Sequence, residues 1–289
     1  MIKPLYLCNQ DYFISPLNTV TVEKRENQVA FPRHYHEFYE LVIVSAGNGM
    51  HSWNDETHPI TCGDVLYINS DDIHSYQSVN QLQLNNILYQ RELLSISAVI
   101  EQYLPHKSLP QAERFWRIHP SFLKQISLLT EQLQVESKKN NMSSIHLSES
   151  LLLQLVILLH RFRYQPNTNF PAPTHQLDIL FTVLHNSIAR SFNLEHFCQQ
   201  QKIPSRSLIR IFKNQTGMTI TEYLQQLKAA KAMNLLRNTQ YSISIIANEC
   251  GYEDSNYFSA VFRKIANQTP SQYRAKFHHK KNRGLVTPR

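Results

Sequence analysis

The chain has no stretch of about 20 apolar residues, the length a membrane-spanning helix needs. Its densest apolar run, Leu151 to Leu159, is short and is interrupted by Gln154. The first residues, MIKPLYLCNQDYF, lack the basic start and apolar core of a signal peptide. A cytoplasmic protein with no membrane partner is therefore expected. Cysteine is sparse, and Cys8, Cys62, Cys198 and Cys250 form no CxxC pair. Such spacing favours free thiols in a reducing compartment over disulfides or a zinc site. Acidic side chains are scarce in the rear of the chain. Residues 166–289 hold 16 Lys and Arg against 6 Asp and Glu, whereas residues 1–165 hold 13 against 16. The charge is thus divided, and the basic rear half is suited to a polyanion.

What is present suggests two domains, as 289 residues allow. Phe38 to Val44, Asp64 to Ile68 and Leu82 to Tyr89 are rich in Leu, Ile, Val and Tyr. Turn signals at Gly47-Asn48-Gly49, Asn54-Asp55 and Ser70-Asp71-Asp72 separate them. Short, closely spaced strands predict a small β-barrel or sandwich. His34 and His36 are alternate residues of one strand, so both can face one interior. With Glu40 and His74 they make a set of imidazoles and a carboxylate. The order His34-x-His36-x3-Glu40-x6-Gly47, then Gly63-x5-Asn69-x-Asp71-x2-His74, resembles the paired motifs of cupin barrels. Asn69 and Asp71 replace the usual Pro and Gly of the second motif. Three uses of these residues stay open at this point. They are a divalent metal centre of a cupin-type enzyme, a metal-free site for a small polar ligand, and structural histidines at a barrel mouth. The neighbouring aromatics Phe38, Tyr39, Trp53, Tyr67 and Tyr76 favour a sugar, whose C–H face packs on rings.

Helical periodicity follows over Leu93 to Leu104, Phe122 to Ser137 and Ser143 to Tyr164, with Ser143 or Ser144 as the N-cap of the last. That longest helix is apolar on more than one face, which suggests either burial within the chain or a helix of a second subunit against it. Residues 165–174 carry three prolines and no regular period, and read as a linker.

The rear half carries an internal repeat. Phe212, Thr219 and Tyr223 recur as Phe262, Thr269 and Tyr273, each 50 residues later. After an amphipathic helix over His175 to Ser191, each copy reads as a short helix, a tight turn and a second helix. The turns fall at Lys202-Ile203-Pro204 and at Gly251. Arg206 and Arg210, four residues apart, project from one face of the first copy's second helix. Thr219 or Thr221 starts a long connecting helix. Paired helix-turn-helix units in a basic segment predict binding in successive major grooves of duplex DNA.

The closing run SISIIANECGYEDSNYFSAVFRKIANQTPSQYR resembles the signature of AraC-type transcription regulators. The stretch GDVLYINSDDIHSYQSVNQLQLNNILY extends the resemblance to the L-rhamnose regulators within that family. The resemblance implies an α+β protein. Residues 1–164 would form a cupin-like sensing and dimerisation barrel with packed helices. Residues 175–289 would form an all-α DNA-binding domain with two helix-turn-helix units. It implies a transcription activator rather than an enzyme, with L-rhamnose as effector and no metal or other cofactor. By position, Arg206, Ile209, Arg210, Ser255 and Asn256 match DNA-reading residues. Asp254 matches a residue facing the sigma subunit of RNA polymerase. Ala260 stands where some members place Arg, and Ile245 where the rhamnose regulators place a second Asp. His34, His36, Glu40 and His74 are the candidates for the ligand site. A homodimer on double-stranded promoter DNA is the implied assembly.

Overall fold

Two very long strands set the architecture of the front half. The computed structural model describes residues 3–54, 56–106, 108–110, 113–118, 120–163, 172–190 and 192–278. Among these, β1 (Leu5–Leu7), β2 (Val20–Arg25), β3 (Phe31–His36), β4 (Tyr39–Trp53), β5 (Glu56–Thr61), β6 (Asp64–Ile68), β7 (His74–Tyr89) and β8 (Phe115–Arg117) form one sheet. Its order is β1-β3-β7-β4-β6-β8, with β2 on β7 and β5 on β4. The 15-residue β4 and 16-residue β7 pair antiparallel along their lengths. One half of each pairs with β3 or β5, the other half with β2 or β6. The sheet thereby folds over on itself. The expected turn at Gly47-Asn48-Gly49 is instead a set of bulges inside β4, between Val44 and Met50. Gly47 has φ +69°, and a Cβ there would lie 2.0 Å from the Gln81 carbonyl oxygen. Only glycine fits so close a crossing.

β4 is buried on both faces. Val42 and Val44 join Trp53, Ile60, Leu66 and Leu84 inside the fold. Leu41 and Ile43 point the other way, with Tyr67, Ile87 and Tyr89, onto α2 (Leu123–Ser137) and α3 (Met142–Arg161). A strand with no solvent face reads as a continuous apolar run rather than an alternation. Helix α3 is long and apolar enough to cross a bilayer by composition alone, with mean hydropathy 1.6, but half of that span is buried within the protein. Its inward Leu152, Leu155, Val156 and Leu159 pack on the sheet and α2. Asn141, not a serine, caps it, accepting from the Ser144 backbone N–H at 2.9 Å. The helix expected over Leu93 to Leu104 shrinks to α1 (Ser97–Ile100) after a short 3-10 turn. The Ser95 backbone N–H and hydroxyl bond Glu149 of α3, which takes this segment out of the helical ladder.

The rear half is all helical. It comprises α4 (Ala172–Asn186), α5 (Leu194–Gln200), α6 (Ser205–Thr216), α7 (Ile220–Asn238), α8 (Ile243–Glu249), α9 (Ser255–Ala266) and α10 (Pro270–His278). Helix α4 begins inside the expected linker and ends before Ser191; linker residues 165–171 lie outside the described residues. Two small cores form. The first gathers Leu177, Phe181, Leu208, Phe212, Tyr223 and Leu227. The second gathers Met233, Leu236, Ile246, Phe258, Phe262 and Tyr273. The 50-residue repeat reappears as geometry. Phe212 meets Tyr223 edge-on at 5.6 Å and 74°, and Phe262 meets Tyr273 at 5.7 Å and 83°. Helix α7 supplies both cores, its first half the first core and its second half the second. A full capping box starts it: Thr219 and Glu222 each bond the other's backbone N–H.

Candidate effector site and nucleic-acid interface

In the folded sheet, β3, β4 and β7 line a cavity of about 200 Å³. His34, His36 and Glu40 form part of its wall, with Tyr76 and Asn86 from β7, Arg25 at the end of β2, Gln28 just beyond it, and the rings of Phe31 and Phe38. His34 and His36 do face one interior, as strand alternation requires. His74 is fully buried beneath the wall. Its Nε2 lies 3.6 Å from Glu40 Oε2, and His36 Nε2 lies 3.4 Å from the same oxygen. Of the five aromatics named from the sequence, only Phe38 and Tyr76 reach the cavity. Tyr39 and Tyr67 stack beneath the helices with Tyr89, and Trp53 lies under the Arg114 guanidinium.

Hydrogen bonding fixes the imidazole lone pairs. The Phe38 carbonyl accepts from His36 Nδ1 at 2.7 Å, and the Pro32 carbonyl accepts from His34 Nδ1 at 2.9 Å. Each ring therefore keeps its proton on Nδ1 and turns a lone pair on Nε2. Burial holds His34 below its ordinary pKa and His74 well below, and it pushes His51 down to about 3. These rings are neutral at physiological pH. Four buried polar atoms on the cavity wall have no hydrogen-bond partner: His36 Nε2, Glu40 Oε2, Tyr76 Oη and Asn86 Oδ1. Three of the four can only accept. Buried unpaired polar atoms are costly, so this set calls for a donor-rich guest.

The same geometry fits an ion. Ligand atoms of His36, Glu40 and His74 lie within 4.8 Å of one another, all buried. Two neutral imidazoles and a carboxylate suit a first-row divalent metal, which would present a Lewis acid to the cavity.

Sequence reasoning missed His51 and Asn86. His51 Nε2 sits 3.1 Å from His74 Nδ1 and supports that ring from behind. The bulges explain the omission. Glu40, Val42 and Val44 face inward at even positions, whereas His51 and Trp53 face inward at odd ones. A plain period of two cannot find His51.

In the rear half, Arg206, Ile209 and Arg210 are exposed on α6, and no described residue forms an ion pair with either arginine. Leu208 and Phe212 bury the opposite face. Asn256 is exposed and Ser255 half-buried at the start of α9, the equivalent helix. Both turns take the backbone that the sequence requires. Gly251 has φ 71° and Lys202 has φ 50°, left-handed in each. Pro204 occupies the N-cap of α6 without a side-chain cap, and Ser205 is the first helical residue. Asp254 caps α9, its carboxylate accepting from the backbone N–H of Asn256 at 2.6 Å and of Tyr257 at 3.4 Å. It therefore has a structural task alongside any contact with a partner.

Comparison with known proteins agrees with both halves. The AraC-like ligand binding domain family matches residues 16–156, and a helix-turn-helix domain family matches residues 197–276. The chain is 48% identical over 277 residues to the HTH-type transcriptional activator RhaR of Mannheimia succiniciproducens, covering 96% of this chain and 99% of that protein. It is 45% identical to the RhaR of Pectobacterium atrosepticum over 276 residues, covering 96% and 97%. Among solved structures, the C-terminal domain of the response regulator yesN from Fusobacterium nucleatum is 31% identical, covering 34% of this chain and 96% of that one, with a TM-score of 0.32. A sensor-like sheet, a duplicated helix-turn-helix unit and near full-length identity to these activators place the chain in the AraC-type family of helix-turn-helix transcription regulators.

Proposed function

We propose that the protein activates genes of L-rhamnose catabolism when L-rhamnose enters the cavity of the folded sheet. One observation carries this reading: the four unpartnered polar atoms on a single small wall. The hydroxyls of a sugar donate and accept, so they satisfy His36, Glu40 and Asn86 together. Phe31 and Phe38 line the cavity with apolar ring surface suited to the C–H side of a pyranose. Leu7, Val29 and Leu88 supply an apolar patch suited to the methyl group of a 6-deoxy hexose. The cavity is below the roughly 300–1,000 Å³ of drug-sized sites, which favours a single monosaccharide.

In this reading the protein acts as a homodimer on promoter DNA. Leu128 and Val135 of α2 and Met142 and Leu147 of α3 are exposed apolar residues available to a second copy. Arg206 and Arg210 read bases in one groove, Ser255 and Asn256 in the next, with Ile209 packing beside the arginines. Asp254 presents its carboxylate to the sigma subunit of RNA polymerase. Effector binding shifts an existing equilibrium towards the state competent for activation, which requires that the sugar bind that state better. Titration calorimetry of the full chain with L-rhamnose, L-fucose and L-arabinose tests the reading. L-rhamnose is expected to bind most tightly and to raise transcription with purified polymerase. Absence of binding by any of the three removes the proposal.

A further inference from the structure

The sensor half touches both reading helices at corresponding places. Asn48, in the bulged part of β4, donates from Nδ2 to the Thr216 carbonyl at 3.1 Å. Thr61 of β5 donates to the same oxygen at 3.4 Å. Thr216 is the last residue of α6. Ser78 of β7 donates its hydroxyl to the carbonyl of Ile265, in the last turn of α9. The carbonyls of a helix's last turn have no partner within the helix. Here the sensor supplies partners for both reading helices, at their ends away from Arg206 and Ser255.

Between these two points the sensor also grips the helix that joins them. Met50, fully buried, packs on Ala229 and Ala230, at the middle of α7 where its two cores meet. Asn234 of α7 completes the free edge of β5. It accepts from the Thr57 backbone N–H at 2.8 Å and donates to the Thr57 carbonyl at 3.3 Å. Each reading unit has its own small core, and α7 is the element that both share. A rod held at one face can still bend or roll. A rod held in the middle, with both attached units capped by the same rigid sheet, cannot.

We propose that Asn48 and Ser78 are positioning residues for DNA recognition. They brace the ends of α6 and α9 against one sheet, so that the two helices enter successive grooves at one fixed separation and phase. The brace rests on the DNA-reading role of the two units and not on the identity of the effector.

The test uses the full chain and a duplex selected by it from a randomised pool, so that both subsites are present. A second duplex carries two extra base pairs between the subsites, a rotation of about 70° at 10.5 base pairs per turn. A third carries the α6 subsite alone. Wild-type protein is expected to bind the lengthened duplex roughly tenfold more weakly than the selected one, the loss of about one good base contact. Asn48→Leu, Thr61→Val and Ser78→Ala together remove all three sensor-side donors without adding a charge. This variant is expected to lose most of that spacing penalty while holding the single-subsite affinity within about twofold. Asn234→Ala loosens the contact of α7 with β5 but leaves the Asn48 and Ser78 bonds in place, and should keep most of the penalty. A folded donor-deleted variant that keeps the wild-type spacing penalty overturns the proposal. So does equal loss on the single-subsite duplex, which would place the damage in the reading unit itself.

Discussion

His51 Nε2 lies 3.1 Å from His74 Nδ1, joining the middle of the sheet to the ring that backs the cavity. His74 in turn faces Glu40, whose Oε2 is also approached by His36. The wall of the site is therefore a connected set of imidazole rings around one carboxylate, and each member can be tested by what it does to effector binding.

Glu40→Gln should weaken L-rhamnose binding about tenfold or more, because the charge-assisted acceptor is lost while shape is kept. Dialysis of the wild type against a chelator should leave binding unchanged. If sugar binding disappears with the chelator and returns with a divalent ion, the cluster of His36, Glu40 and His74 belongs to a metal instead.

Arg206→Ala should cost about 1–3 kcal/mol on the selected duplex and much less on random DNA, as expected for an arginine bidentate to guanine. Competition binding at fixed salt measures both. Equal losses on the two duplexes would mean that Arg206 touches phosphate only.

Asp254 needs two variants because it caps α9. Asp254→Ala removes the cap as well as the charge and should destabilise the second unit by about 0.5–2 kcal/mol. Asp254→Asn keeps a capping oxygen and removes the charge. The Asn variant should bind DNA like wild type and activate transcription less. Full activation by the Asn variant would take Asp254 out of any polymerase contact.

His185 gives the first reading unit a pH-dependent stability. Partial desolvation, assisted by the positive Arg117, lowers its pKa to about 4 although the residue stays partly exposed, and its Nε2 lies 3.1 Å from Tyr223 Oη. The unfolded chain takes up a proton near the usual value while the folded one does not, so stability falls as pH drops below that value. Because the ring is partly exposed and solvent screens its charge, the loss between about pH 7.5 and about pH 5 should be no more than about 1 kcal/mol. Denaturant titrations at the two pH values, in wild type and in His185→Asn, check this. An unchanged pH slope in the variant would assign the loss to other groups.

Much of the rear half was legible because its signals are local. The recurrence of Phe212 and Tyr223 as Phe262 and Tyr273 corresponds to two near-identical edge-on ring pairs. The turn at Lys202 and the cap at Thr219 lie where short-range chemistry places them. The front half was less legible because its determinants are long-range. Glycines at 47 and 49 look like a turn but sit inside a strand: the Gln81 backbone of the partner strand passes too close to Gly47 for any side chain, and Val79 packs tightly on Gly49. The segment after Leu93 has helical spacing, yet Glu149 of α3, remote in sequence, claims the Ser95 backbone. His34, His36 and Glu40 were found as cavity wall, while His74 lies one layer deeper and Tyr39, Trp53 and Tyr67 belong to packing elsewhere.

The bulged centre of β4 also fixes how the chain can vary in length. Before it, even-numbered residues face the interior of the folded sheet; after it, odd-numbered ones do, and Asn48, Met50 and Ser52 are left to meet the DNA-binding half. Deleting one residue there would turn His51 towards α7 and Met50 towards the interior of the sheet. Loops ordinarily absorb such frame changes without loss. Residues 45–50 look like a loop in composition, yet here a single-residue indel would exchange sensor and transmitter in one step, so homologous chains are expected to keep this count while they vary elsewhere.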